Sequence, residues 1–197
     1  MGKSTKRRLA IEVAELYPPR GEWTEEHYFA LPDTNRYIEL SEGELVMPPH
    51  PTRRHQVTVQ ELYIRLHIFV QERNLGEVYI APLPVRLWPG KIREPDLLFM
   101  AREHRERISE QVFGPPDLVI EVISPSTRRT DRIEKAAEYI RAGIPEYWII
   151  DPDARTVEIF ILRAEVYELL GRWGMGETAH SALLEGFQVA VSDLFLD

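Results

Sequence analysis

The 197-residue chain contains no cysteine. That absence excludes a disulfide scaffold, a thiolate zinc site and a cysteine nucleophile together. A metal would have to be held by oxygen and imidazole, and for a carboxylate site this favours Mg²⁺ or Mn²⁺. Long apolar runs are also missing. No stretch approaches the roughly 18 apolar residues that span a bilayer, so no membrane partner is expected. The first residues, MGKSTKRRLAIEVAEL, are basic but lack the continuous apolar core of a secretory signal. The expected location is the cytoplasm. Positive charge is scarce as well: 24 Lys and Arg stand against 32 Asp and Glu, a formal net charge of −8. Attraction to a polyanion needs basic residues, so nucleic acid would have to be met by a local patch. Arg53-Arg54 and Arg128-Arg129 with Arg132 are the candidates.

What remains has the composition of an ordinary globular protein, and its length allows a sizeable core. Residues 1–20 read as an N-terminal arm, with a helical turn or two around Leu9 to Leu16. Residues 21–197 read as one domain, without repeats or a long linker. The pattern predicts a short capped helix over Thr24 to Leu31 and a hairpin over Arg36 to Met47, turning at Glu42-Gly43. A long helix follows over Arg54 to Asn74, with Val57, Leu62, Leu66, Phe69 and Val70 on its apolar face. Strands are expected at Glu77 to Ala81, Val85 to Trp88 and Ile92 to Met100. A hairpin is expected at Thr156 to Leu162 and Glu165 to Leu170.

The most informative stretch runs from Pro115 to Pro152. Asp117 to Ile123 (DLVIEVI) is a buried-type strand. Ser124-Pro125-Ser126 ends it. Asp131 with Glu134 resembles an N-cap pair, and Ile133, Ala136, Ala137 and Ile140 form a helical stripe. Gly143 and Pro145 stop that helix, and Tyr147 to Ile150 is the next strand. Strand, crossover helix and strand make a right-handed unit with parallel strands. The fold class is therefore α/β (α+β), a mixed sheet flanked by helices.

Glu121 interrupts an apolar strand, and a carboxylate there needs a cation, a hydrogen-bond partner or a task. Pro95-Asp96 and Pro116-Asp117 offer two acids to join it. Asp117 is about 13 Å along the same strand from Glu121, too far to share an ion. If the strands are antiparallel neighbours and Met100 lies opposite Asp117, Asp96 falls opposite Glu121, with Cβ atoms about 5 Å apart. Two carboxylates that close repel unless a proton or cation lies between them.

Glu94-Pro95-Asp96-Leu97, the run Pro116 to Ser126, Asp131, Glu134-Lys135, Tyr139, Gly143, Glu146-Tyr147-Trp148 and Asp151-Pro152 closely resemble the Uma-two family of restriction-type endonucleases. That family belongs to the PD-(D/E)XK nuclease superfamily. The likeness extends from about Trp23 to the C-terminus. It implies a restriction-endonuclease-like core in which two acids hold Mg²⁺ or Mn²⁺ for phosphodiester hydrolysis in DNA. By that resemblance Asp96 is the first acid and Glu121 the second. The superfamily usually has a lysine two residues after the second acid, and here Ile123 stands there. The family replaces it from the following helix, which assigns the role to Lys135. Glu44 and His55 match less defined positions and are candidates to complete the metal shell.

On the helical wheel Lys135 lies well away from the apolar stripe, so pairing with Glu134 or Glu138 on a solvated face competes with a catalytic role. Two other functions compete with a nuclease. One is a catalytically inactive nucleic-acid- or protein-binding module, motivated by the acidic charge and the displaced lysine. The other is a glycosidase, which also uses paired carboxylates but usually adds aromatic platforms; here the four tryptophans are scattered. Duplex cleavage would favour a homodimer, built on an exposed edge strand near the C-terminal hairpin or on the N-terminal arm.

Overall fold

A computed structural model describes residues 17–32 and 37–196. The helical turn expected around Leu9 to Leu16 lies outside the described residues. Helix α1 (Glu25–Phe29) is capped by the Thr24 side chain, which accepts from the His27 amide. Strands β1 (Glu39–Ser41) and β2 (Glu44–Val46) form the expected hairpin. Its two turn residues, Glu42 and Gly43, both have positive φ, as this tight turn requires. A side chain at Gly43 would strike the Gly21 carbonyl, where the two chain segments cross closely and the Gly21 amide donates to the Gly43 carbonyl. Helix α2 (Arg53–Glu72) follows, with Thr52 as its N-cap. Its buried face is Thr58, Val59, Leu62, Leu66 and Val70. Val59 thus takes the core place expected of Val57.

Strands β3 (Gly76–Ile80), β4 (Val85–Trp88), β5 (Lys91–Arg93) and β6 (Leu97–Ala101) come next. The single strand expected over Ile92 to Met100 is broken at Glu94-Pro95-Asp96. Pro95 has no amide to donate, and the chain there leaves one sheet for another: β5 pairs with β1 and β4, whereas β6 pairs with β3 and β7 (Leu118–Val122). This switch places Glu94 and Asp96 at the junction of the two sheets.

After β7 come a π-helical turn (Thr130–Lys135), helix α3 (Ala136–Arg141) and strand β8 (Glu146–Asp151). Strands β9 (Thr156–Arg163) and β10 (Val166–Trp173) form the next hairpin, and β11 (Thr178–His180) pairs with β12 (Gln188–Ala190). The main sheet has the order β10-β9-β8-β7-β6-β3. Strands β7 and β8 are parallel and the other neighbours antiparallel, so the sheet is mixed, as the sequence indicates.

Period-two alternation sends successive side chains to opposite faces. Leu97, Phe99, Leu118, Ile120 and Trp148 pack on α2 and the C-terminal segment. Leu98, Met100, Val119, Tyr147 and Ile149 pack on Tyr139 of α3 and on Val85 and Phe113. Glu121 shares this second face. Among the described residues no helix is long and apolar enough to cross a membrane.

The helix between β7 and β8 departs from the expected pattern. Its start is held by a reciprocal pair: the Thr127 amide donates to Ser124 Oγ and the Ser124 amide to Thr127 Oγ1. Asp131 is therefore inside the helical segment rather than at its cap. The buried positions are Asp131, Lys135 and Tyr139, while Ile133 is 60% exposed. The apolar stripe read from the sequence is not the inward face. A polar stripe turns inward because Glu121 waits there.

Candidate active site

Strands β6 and β7 pair in the register that puts Leu97 opposite Ile120 and Phe99 opposite Leu118. One step further along the same ladder, Asp96 faces Glu121. Asp96 Oδ2 accepts a hydrogen bond from the Val122 amide at 2.8 Å. His55 Nε2 on α2 lies 3.1 Å from the same oxygen. The amide contact fixes Asp96 against β7, and the imidazole ties it to the first turn of α2.

Glu121 is 3% exposed. Its Oε1 accepts from the Tyr139 hydroxyl at 2.5 Å and lies 2.9 Å from Lys135 Nζ. Lys135 is itself buried, and its ammonium also faces Asp131 Oδ1 at 3.3 Å and Glu39 Oε1 at 3.8 Å. The solvated lysine that a regular helical wheel allows is not what forms. A π-helical turn inserts extra residues per turn, and it carries Asp131 and Lys135 together onto the sheet side. Burial pushes the Glu121 carboxyl up to about 8, opposed by the Lys135 charge and the Tyr139 hydrogen bond. Burial works against the Lys135 charge too, but the surrounding carboxylates, Glu121 foremost, outweigh it and raise its pKa well above the usual value. Lys135 thus keeps its proton and sets a fixed positive charge between Glu121 and Asp131.

These groups line a cleft of about 330 Å³ where the two sheets meet, walled by the Pro48 to Thr52 loop on one side and the Ser124 to Thr127 turn on the other. Asp96, Glu121, Lys135 and His55 all border it. Glu44 does not: both its carboxylate oxygens are held by Arg20, at 2.7 and 2.8 Å, on the exposed hairpin. The expectation that Glu44 completes a metal shell has no support in its position. Asp117, set aside on spacing, is also occupied elsewhere. It accepts from the Ala101 amide and lies 2.7 Å from His104 Nδ1.

The cleft contains groups that the sequence reading passed over. Asp131, which lines the cleft, and Tyr139, which is fully buried and bonded to Glu121, form a polar i, i+4, i+8 series through Lys135 that marks a buried face. Glu94 and Tyr37 carried no such signal, since only the sheet switch at Pro95 brings them to the cleft. Burial pushes the Glu94 carboxyl up to about 7, with the Tyr28 hydrogen bond and the Lys135 charge opposing and Glu39 reinforcing the shift.

The sequence matches the profile of the family described as "Uma2: Putative restriction endonuclease" over residues 25–192. The chain belongs to the Uma2 family. A similar solved structure is that of a protein described as a "putative nuclease belonging to DUF820" from Anabaena variabilis. It superposes with a TM-score of 0.74 at 20% sequence identity, covering 88% of this chain and 97% of the other. At that identity the likeness speaks for the fold alone. The comparison with curated proteins gives no match. The matched residues include every residue that lines the cleft.

Proposed function

We propose that this Uma2 protein is a divalent-metal-dependent endonuclease that hydrolyses phosphodiester bonds in DNA at the cleft of Asp96, Glu121 and Lys135. The observation that carries the reading is the meeting of Asp96 and Glu121 across neighbouring strands, with a buried lysine in contact with the second acid. The donor set fits a hard cation: it consists of carboxylate oxygens and an imidazole, with no sulfur. The charge balance fits as well. Glu94, Asp96, Glu121 and Asp131 border the cleft against Lys135, while Lys91 and Arg93 are engaged by Glu138 and Glu39. Among the described residues no group of three or more His, Asp or Glu side chains forms a ready metal cage. Mg²⁺ needs only one or two carboxylates, because it retains several waters.

Asp96 and Glu121 would hold the ion, with His55 as a candidate further ligand through its imidazole. A bound Mg²⁺ or Mn²⁺ polarises the scissile phosphate and lowers the pKa of a coordinated water. The chain's own residues do the rest. Lys135 Nζ, a fixed positive charge, stabilises negative charge that develops on the phosphate oxygens. Tyr139 holds Glu121 in one rotamer through its hydroxyl, and the Val122 amide does the same for Asp96. The acidic charge and the displaced lysine speak for the inactive-module alternative, and the 2.9 Å contact of Lys135 with Glu121 supports the nuclease reading on the second point. The edge strand β10 exposes Val166, Leu169 and Leu170. A homodimer through that edge would set two cleft sites on one duplex, and a light-scattering mass of one chain would exclude it.

The test is incubation with supercoiled plasmid, single-stranded DNA and RNA in Mg²⁺ or Mn²⁺. We expect cleavage of DNA that Asp96→Ala and Glu121→Ala each abolish. Cleavage that survives either change, or that persists in chelator, would reject the assignment.

A further inference from the structure

Glu94 is nine-tenths buried, yet only one side of its carboxylate is used. Oε1 accepts from the Tyr28 hydroxyl at 3.2 Å. Oε2 is buried with no hydrogen-bond partner. An unpaired buried carboxylate oxygen is among the costlier features a fold can carry, and it persists where something else satisfies it. Nothing in the structural role of Glu94 requires this. Its amide, not its side chain, joins the neighbouring network by donating to Glu39 Oε1. Arg93, next in sequence, is already shared between Glu39 and Glu138.

The position of Glu94 points to what satisfies it. Glu94 and Asp96 stand on either side of Pro95, where the chain bends from β5 of one sheet into β6 of the other. Both border the cleft, and both charges act on the phenol of Tyr37. The Lys135 charge is felt by both as well. The switch of the chain from one sheet to the other thus brings Glu94 and Asp96 to the cleft that Glu121 also lines.

We propose that Glu94 is a third carboxylate ligand of the cation held by Asp96 and Glu121, its free Oε2 turning to the ion from the β5 side. This rests on the reading of the cleft as a cation site. It adds an oxygen from outside the two acids that the resemblance assigns. A Glu94→Gln change keeps the shape and the Tyr28 contact but removes the charge.

The experiment has two parts. Electron paramagnetic resonance of free Mn²⁺ gives the affinity of the full chain and of Glu94→Gln. We expect the variant to bind Mn²⁺ at least tenfold more weakly, with an unchanged circular dichroism spectrum without metal. An affinity within twofold of the unsubstituted protein would overturn the inference and leave the Asp96–Glu121 reading intact. No Mn²⁺ binding by the unsubstituted protein would overturn both. If the variant does not fold, anomalous scattering from unsubstituted crystals soaked in Mn²⁺ decides. A peak within about 2.5 Å of a Glu94 oxygen supports the proposal, and a peak on Asp96 and Glu121 alone overturns it.

Discussion

Lys135 is 7% exposed and faces carboxylates of Glu121, Asp131 and Glu39. Removing its charge leaves those acids without their common cation, so Lys135→Met should cost about 3 kcal/mol of stability, read by urea unfolding. The same variant should lose cleavage by about 100-fold or more. A second buried network makes a prediction in acid. Glu138 meets Lys91 Nζ at 2.7 Å and Arg93 Nε at 2.7 Å from β5, with Glu39 of β1 behind Arg93. Burial opposes its ionisation, but the hydrogen bonds and charges of Arg93 and Lys91 prevail and hold its pKa below the ordinary carboxylate value. A depressed folded pKa means stability that is present above the unfolded value, about 4.3, and lost as pH falls through the folded one. The stability advantage of the unsubstituted protein over Glu138→Gln should therefore be full at pH 7 and shrink below about pH 4. An advantage that grows in acid would contradict it. Asp96 and Glu121 were legible in the sequence because strand alternation and a proline-marked start leave few registers. Lys135 was legible only by resemblance, because a wheel of 3.6 residues per turn misplaces it.

At the scale of elements, the segment from Ser124 to Arg141 sets the site. Its inward face is polar, and the apolar Ile133 looks outward. Ile133→Ser should accordingly change stability by less than about 0.5 kcal/mol, whereas Tyr139→Phe should cost about 1–2 kcal/mol by removing one of the two donors to the buried Glu121 Oε1. Equal thermal melts for the two variants would speak against this face. Strand β8 carries another fixed point. Glu146 accepts from Trp148 Nε1, Ser181 Oγ and the amides of Ala182 and Leu183, which ties the C-terminal segment to the sheet. The strand pattern revealed β7 and β8 and their parallel pairing, since a crossover helix leaves little choice. It did not reveal that Ile92 and Leu97 belong to different sheets. Both read as strand, and only long-range pairing with β1 separates them.

For the molecule as a whole, a net charge of −8 must be reconciled with a polyanionic substrate. Arg54 and Arg128 are the chain neighbours of the cleft-lining His55 and Thr127, and they rest on Asp153 at 4.0 Å and on Asp151, at the end of β8, at 3.0 Å. Phosphates passing over this rim would compete for those side chains. Arg54→Ala and Arg128→Ala should each weaken DNA binding without altering sequence preference, and each should lower the salt slope of log K by about 1. The central claim concerns the ion. Calorimetric titration with Mn²⁺ tests it most directly, on the unsubstituted protein and on Asp96→Asn and Glu121→Gln. Saturable binding that both substitutions abolish is the predicted result. Equal heats from all three proteins, or none from the first, would contradict it.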